Sequence, residues 1–241
     1  MPRHPLVLSL FPGIGLLDMA FEEEGFTVVR GPDVLWGGDI KLFHPPAGKF
    51  DGVIGGPPCQ AFSQVNQAAR KGIQKLAANL IPEFERCVDE AKPTWWLMEN
   101  VRQAPVPVVP GYVTWSRVVN NRWTGAVQNR VRRFTFGTQD GIPLELEFAP
   151  LLNPEKAGCF TANGTQWDAD KGRSRGDRSH ASLAKGLRLQ GLPETFLAQS
   201  PLTVEGKVRV VGNGVPLPLG RAIAHAVRLA ITKPEQVEEV A

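Results

Sequence analysis

The sequence predicts an α/β fold in which helices pack on both faces of a mostly parallel, doubly wound sheet. Two observations predict it. Short apolar runs alternate with helical segments from the start of the chain, with runs at 6–11 and 27–30 around a helix at 15–26. Glycines or polar residues also follow directly after these runs, and the carboxyl ends of parallel strands are where such sheets bind ligands.

The later segments extend this pattern. Apolar runs at 50–55, 94–100 and 132–137 are predicted strands. The predicted helices lie at 79–92, 115–121 and 217–231, and the segment at 182–192 begins a compact C-terminal region. Pro82 is expected in the first turn of its helix, where a missing N–H is tolerated. The segment at 217–231 has the apolar stripe of an amphipathic helix.

Residues 138–185 differ in composition from the rest of the chain. They are rich in Gly, Asp, Lys and Arg and show little periodicity. A chain of 241 residues fits one domain with a small appended lobe. We therefore expect residues 1–137 and 186–241 to form the main domain and residues 138–185 to form a small lobe.

Composition narrows the class of protein. The formal charge of +3 permits a polyanionic partner without requiring one. The three cysteines are far apart and none forms a CxxC pair, so neither a metal site nor a disulfide framework is expected. No apolar run is long enough to span a membrane, and the N-terminus lacks a signal-peptide pattern. We expect a monomer in the reducing cytoplasm.

The first turn, FPGIG at 11–15, joins a strand to a helix through glycines. Such a turn lets a nucleotide-like cofactor approach backbone N–H groups at a helix N-terminus. Asp33 follows the second strand, where an acidic side chain typically binds ribose hydroxyls, and Asp39 lies further on, in a loop or at the end of a short strand. Solvated loop acids are the alternative interpretation for both residues. The third glycine of a dinucleotide-binding fingerprint is missing, which argues against a pyrophosphate site.

A single cysteine occupies a stiff turn in FDGVIGGPPCQAFS at 50–63. Pro57 and Pro58 fix φ and restrict the residues before them, so the Cys59 thiol is held in one place. This is how a nucleophile is preorganised, although a thiol with a pKa of roughly 8.5 needs local help to ionise. Glu99 ends a later apolar strand, where partial burial would raise the pKa of its carboxyl.

The segment QNRVRRF at 128–134 is predicted to be extended. Gln128, Arg130 and Arg132 then lie on one face, and Arg133 lies on the other. The first face suits an anion or a carbonyl oxygen. A solvated basic surface is the alternative interpretation.

Together these segments resemble the cytosine-5 DNA methyltransferase family. FPGIGLLDMAFEEEGF, GGPPCQAFS, MENV, QNRVR, RLQGLPETF and VVGNGVPLPLGRAIA resemble six motifs of that family and occur in its order. The resemblance implies a Rossmann-like methyltransferase fold, S-adenosylmethionine (SAM) as cofactor and double-stranded DNA as partner.

The resemblance also implies residue roles. Cys59 would be the nucleophile that adds to the target cytosine, and Glu99, Arg130 and Arg132 would grip that base. The residues implied to contact SAM are Phe11, Gly13, Ile14, Gly15, Asp33, Asp39, Ile40, Pro58, Leu80, Asn213 and Val215. The residues expected to contact DNA are Gln60, Ser63, Gln128, Lys171, Arg173 and Arg175. The polar segment 60–78 is the expected lid over a flipped base.

Three departures from the family pattern affect these expectations. Leu16 stands where the family usually has a small residue, and Gly214 replaces the common alanine or serine. The segment between QNRVR and RLQGLP is short, which predicts a recognition site of roughly two to four base pairs. Its basic residues, in DKGRSRGDR, are expected to bind phosphates, with a solvated charged loop as the alternative.

Other functions remain open from the sequence. GCFT at 158–161 echoes an element of the tRNA-methylating branch of the superfamily, so RNA is an alternative substrate. A catalytically inactive SAM-fold protein that only binds DNA is a second alternative, and a Rossmann oxidoreductase a third. Restriction–modification, phage DNA protection and regulatory methylation all use the same chemistry.

Overall fold

A six-stranded sheet forms the centre of the computed structural model, which describes residues 4–59, 62, 78–149, 156–168, 172–173 and 176–232. The strands are β1 (Leu6–Leu10), β2 (Thr27–Arg30), β3 (Gly52–Gly55), β4 (Trp95–Asn100), β5 (Val113–Asn120) and β6 (Val131–Thr138), in the spatial order β2-β1-β3-β4-β6-β5. Strands β1 to β4 are parallel, whereas β6 runs antiparallel to both β4 and β5.

Helices cover both faces of this sheet. Helices α1 (Leu16–Glu23) and α5 (Leu217–Thr232) pack together on one face, and α2 (Ile81–Ala91) packs on the other. Helices α3 (His180–Leu189) and α4 (Val204–Asn213) form a further pair. The prediction of an α/β doubly wound fold is therefore confirmed. Pro82 lies in the first turn of α2, as expected.

Strand β4 is buried along its whole length, as a central strand covered by helices must be. Its two tryptophans point to opposite faces and each lies over a glycine of the neighbouring strand. A Cβ on Gly52 would lie 2.1 Å from the ring of Trp95, and a Cβ on Gly137 would lie 2.2 Å from the ring of Trp96. These are register partners in β3 and β6, so the glycines make room for the largest side chains of the core.

Two sequence-based assignments need correction. Residues 115–121 were predicted to be helical, but 113–120 form β5, which pairs along its length with β6. The valines, threonine and tryptophan of this segment favour a strand, and pairing with a neighbour outweighs its weak helical periodicity. Helix α4 was not predicted, because Gly206 and Gly212 and several charged residues obscure its apolar stripe.

The region 138–185 contains a small sheet with the order β7-β8-β9, formed by Cys159–Phe160, Gln166–Asp168 and Gly172–Arg173. It is tied to the main core, since Phe160 is buried and fills the space beside Gly186 of α3. Helix α3 begins at His180, inside the predicted lobe. The division into a main domain and a lobe stays a prediction.

We also looked for membrane-spanning helices. Among the residues listed above, none of the helices has the length and apolar character needed to cross a bilayer.

Candidate active site

The candidate nucleophile lies on a turn that begins where β3 ends. The amide of Gly56 donates to the carbonyl of Leu10, and Asn100 Nδ2 donates to the carbonyl of Pro57 at 3.0 Å. Asn100 is itself buried at the end of β4. The prolines therefore do not act alone, because a side chain from the next strand fixes the turn that carries Cys59.

Burial raises the pKa of the half-buried Cys59 thiol above its ordinary value. Among nearby charges, the guanidinium of Arg132 lowers this pKa most, the Glu99 carboxylate raises it, and Arg130 lowers it again. The free protein therefore holds Cys59 mainly as the thiol at neutral pH, and its activation depends on the charges around it.

Glu99 and Arg132 form an ion pair beside this turn. Arg132 Nε lies 2.9 Å from Glu99 Oε1, and the two side chains are 14% and 11% exposed. A Cβ on Gly56 would lie 3.3 Å from Glu99 Oε2, so the carboxyl abuts the turn that carries Cys59. Burial raises the pKa of Glu99 and Arg132 opposes the rise, which suits a carboxyl that shares a proton with a ligand.

The glycine turn after β1 has the backbone that the sequence predicts. Gly13 and Gly15 have φ of 56° and 77°, in the left-handed region that favours glycine, and Phe11 has φ of 57°. Asp33 Oδ2 accepts a hydrogen bond of 2.8 Å from the Gly13 amide. The structure thus brings together the glycine turn and the acid that follows β2.

Asp39 and Ile40 lie in a second short turn, at Ile40–Leu42. Asp39 is exposed and its Oδ1 accepts from the Lys41 amide, whereas Ile40 is buried. Arg86, from α2, donates to the Ile40 carbonyl at 2.8 Å while its other nitrogens bind Glu83 and Glu90. The arginine therefore ties this turn to a helix.

The expected role of Arg130 in gripping the base is not supported by its surroundings. The side chain is buried and donates to main-chain carbonyls of Phe160, Gly212, Asn213 and Gly214. Its NH1 also lies 3.5 Å from Cys159 Sγ. Of the two arginines, only Arg132 carries an ion pair with Glu99.

The expectation that Gln128 contacts DNA is also corrected. Gln128 is fully buried, its Nε2 donates to the Leu189 carbonyl and its Oε1 accepts from the Phe160 amide. Both ends of the amide are thus used inside the protein, where they join α3 to β7.

The remaining predicted residues are placed as follows. Pro58, Leu80 and Ile14 are half-buried, Asn213 is exposed at the end of α4, and Val215 is buried. Arg173 lies in β9, and only its backbone is described. Gln60, Ser63, Lys171 and Arg175, which were predicted to contact DNA, lie outside the described residues, as does most of the expected lid at 60–78.

Two of the three departures from the family pattern, Leu16 and Gly214, are in contact with each other. A Cβ on Gly214 would lie 2.5 Å from Leu16 Cδ1. The leucine occupies the space that a larger residue at 214 would need, so the two changes compensate for each other in volume. The sequence does not show this contact, because the two residues lie 198 positions apart in the chain.

Three supporting residues were missed by the sequence analysis: Asn100, Arg86 and Gln190. Gln190 Nε2 donates to the carbonyls of Val211 and Gly214. Asn100 and Gln190 lie within quoted motifs but received no role. Arg86 has acids three residues before and four residues after it, and this spacing indicates an arginine held rigidly on a helix.

Several known proteins are similar in sequence to this chain. A family model described as C-5 cytosine-specific DNA methylase matches residues 37–105. Type II methyltransferase M.HindV of Haemophilus influenzae is 28% identical over 295 residues, which cover 91% of this chain and 95% of that protein. Type II methyltransferase M.NgoPII of Neisseria gonorrhoeae is 30% identical over 147 residues, which cover 53% of this chain and 38% of that protein.

The match to M.FnuDI of Fusobacterium nucleatum is 29% identical and covers 67% of this chain and 55% of that protein. The chain thus spans about half the length of several curated relatives that it matches.

Solved structures share the fold. The Entamoeba histolytica methyltransferase EhMeth superposes with a TM-score of 0.67 at 12% identity, covering 96% of this chain and all of that one. A putative DNA modification methyltransferase encoded within an Escherichia coli prophage gives a TM-score of 0.62 at 17% identity, covering 94% and 99%. The structural likeness confirms the Rossmann-like methyltransferase fold, and in sequence the chain is similar to C-5 cytosine-specific DNA methylases and to Type II methyltransferases.

Proposed function

We propose that this protein transfers a methyl group from SAM to carbon 5 of cytosine in double-stranded DNA, at a short recognition site and as a cytoplasmic monomer. The observation that carries the proposal is the position of Cys59 on a rigid turn beside the buried Glu99–Arg132 pair. The relatives named Type II methyltransferases support DNA as the substrate.

The residues at the carboxyl edge of the sheet fit SAM. Among the residues that the structure describes, none has an atom within 4 Å of a Cβ placed on Gly13, so these residues leave space beside the glycine turn. Asp33, bonded to the Gly13 amide, offers a carboxylate for ribose hydroxyls, and Ile40 offers an apolar contact for adenine. When bound, SAM supplies an electrophilic methyl group.

The protein's own residues would make the cytosine reactive. Carbon 5 is a poor nucleophile until the Cys59 thiolate adds to carbon 6, which forms a C–S bond and turns the ring into an enamine. Glu99 would bond ring N3 and the exocyclic amine, where charge develops, and Arg132 would hold the ring carbonyl. After methylation, carbon 5 would lose its proton to a water molecule, and the electron pair of that C–H bond would restore the C5–C6 double bond and expel the Cys59 thiolate.

The target base would have to leave the helix. A cytosine stacked inside a duplex does not expose carbon 6 to a thiol, so we propose that the base is flipped into the site. The turn that carries Cys59 is fixed by Asn100. Because the thiol is already in place, little conformational entropy is lost when the base arrives.

The proposal is tested by bisulfite-type sequencing of unmethylated bacterial DNA after incubation with the protein and SAM, with a tRNA pool treated in parallel. We expect conversion-resistant cytosines in one short DNA context. Methylation confined to tRNA would overturn the choice of DNA, and methylation of neither substrate would favour an inactive binding protein.

The covalent step is tested with Cys59→Ser. We expect methylation to be lost while SAM binding, measured by calorimetry, is largely kept. Cys87→Ala is the matched control, because Cys87 is buried on α2 and packs in the core. Normal methylation by Cys59→Ser would rule out the covalent route.

A further inference from the structure

The junction between β6 and α4 contains a charge that the proposed chemistry does not use. Arg130 is 1% exposed, and the hydrogen-bond acceptors around its guanidinium are neutral. Burying a guanidinium among carbonyl oxygens is unfavourable unless the geometry is well satisfied. These carbonyls belong to β7 and to the end of α4, so the arginine holds these two segments together.

Four consecutive carbonyls at the end of α4 point to two buried side chains. Arg130 donates to Gly212 at 3.0 Å and to Gly214 at 2.9 Å, with Asn213 at 3.4 Å. Gln190 donates to Val211 at 2.5 Å and to Gly214 at 3.1 Å. The last carbonyls of a helix lack donors within the helix, and a cation is favourable at that end of its dipole. Arg130 and Gln190 therefore cap α4.

This cap fixes the direction of the chain after α4. With its carbonyls turned inward, the segment leaves Asn213 exposed and Val215 buried. On the opposite side Gly214 packs against Leu16, the residue that directly follows the glycine turn. The turn at 212–215 is thus held from inside by Arg130 and positioned from outside by α1.

We propose that Arg130, with Gln190, is a positioning residue that holds the 212–215 turn against the glycine turn, so that both turns present one preformed surface to SAM. The proposal rests on the proposed function, because it takes SAM as the ligand of these turns. Arg130 acts through the turn and does not touch the reacting base.

The first test is SAM affinity of Arg130→Lys by calorimetry. A lysine cannot reach the carbonyls of both β7 and the turn, so we expect the dissociation constant to rise about tenfold or more. The kcat at saturating SAM should change little. Amide exchange at Gly214 and Val215 in the protein without SAM should become faster. Arg133→Lys is the control, because Arg133 also donates to a carbonyl, that of Arg102, away from the turn.

The outcome that overturns the proposal is specific. If Arg130 grips the base instead, Arg130→Lys will lower kcat or weaken DNA binding and leave SAM affinity and amide exchange unchanged. If the wild-type protein does not bind SAM, the proposed function is wrong. This result can be distinguished from failure of the Arg130 proposal, in which the wild-type protein binds SAM and Arg130→Lys binds it equally well.

A second test does not depend on Arg130→Lys folding. Gly214→Ala should weaken SAM binding, because its methyl group collides with Leu16 and displaces the turn. Adding Leu16→Ala should restore much of the affinity. Additive losses in the double variant would show that the position of the turn does not set SAM affinity, and the proposal would be wrong.

Discussion

Arg130 and Arg132 lie two residues apart, and the regions around them are built in opposite ways. In the described part of the chain, the Arg130 guanidinium donates to main-chain carbonyls and to the Cys159 sulfur, and no carboxylate there accepts a hydrogen bond from it. The cleft around Arg132 contains a carboxylate at 2.9 Å and a thiol whose pKa responds to both charges. The difference teaches that the same kind of side chain binds backbone in one region and, under the proposed function, prepares chemistry in the other. Variants in the cleft should therefore affect turnover, and variants in the junction should affect stability and binding.

The largest effect is expected in the cleft. Glu99→Gln keeps the size of the side chain but cannot share a proton with ring N3, so we expect kcat to fall about 100-fold or more because the negative charge developing there is no longer stabilised. The melting temperature should fall little. Single-turnover kinetics and a thermal melt would measure both quantities. A large loss of stability with normal turnover would contradict the assignment of Glu99 to chemistry.

The next effect is expected in the junction. A Cβ on Gly212 would lie 2.3 Å from the backbone of Thr161, which cannot move as a side chain can. We expect Gly212→Ala to lower the free energy of unfolding by about 2–3 kcal/mol, measured by urea denaturation. Gly206→Ala, in the same helix, is the control, because its nearest neighbours would lie at 3.3 and 3.4 Å. Equal losses in both variants would show that the junction is not specially packed.

A smaller effect sharpens the description of the cleft. Since burial raises the pKa of Cys59, the thiolate fraction is small at neutral pH and grows as pH rises towards that pKa. Alkylation of Cys59 in the free protein should therefore accelerate about tenfold per pH unit from pH of roughly 7 upward. Peptide mapping by mass spectrometry separates Cys59 from the other cysteines. A flat profile in this range would mean that the thiolate already predominates.

The smallest effect is expected for an exposed ion pair, which shows what charge contributes without burial. Arg221 of α5 pairs with Glu23 of α1, and its hydrogen bond lowers the pKa of Glu23. The pair therefore stabilises the protein above pH of about 4.5 and loses this contribution as pH falls through the lowered pKa. Glu23→Gln should lower the free energy of unfolding by less than about 1 kcal/mol. At high salt the substitution should have no effect on this free energy, because the ion pair is screened. A larger loss in a urea titration would show that solvent screening is weaker here.

Much of the fold could be predicted from local pattern. Apolar runs ending at glycine or proline located β1, β2 and β3, and the glycine turn with Asp33 was found because its backbone requirement is visible in the sequence. The segment that forms β5 was predicted to be helical, because local periodicity does not show that this segment pairs with β6. Pairing between strands is a tertiary property that sequence patterns show only weakly.

The candidate site shows the same limit. The positions of Cys59 and Glu99 could be predicted, because Cys59 comes shortly after β3 and Glu99 lies at the carboxyl end of β4, where such sheets bind ligands; their catalytic roles stay predictions. The roles of Gln128 and Arg130 could not, because alternation along an extended segment places residues on a face without showing what covers that face. Here α3, α4 and β7 cover this face, and the Gln128 and Arg130 side chains donate hydrogen bonds to backbone carbonyls of those elements.

The tryptophans that lie over glycines have an evolutionary consequence. Gly137 cannot gain a methyl group while Trp96 stays large, and Gly52 is bound to Trp95 in the same way. In each pair, the tryptophan must therefore be replaced by a smaller residue before, or together with, the replacement of the glycine by a larger one. Among relatives of this chain the two positions of each pair should covary, and the substitution order along a lineage should run from tryptophan to glycine. Because the two pairs lie on opposite faces of β4, we expect each pair to change independently of the other.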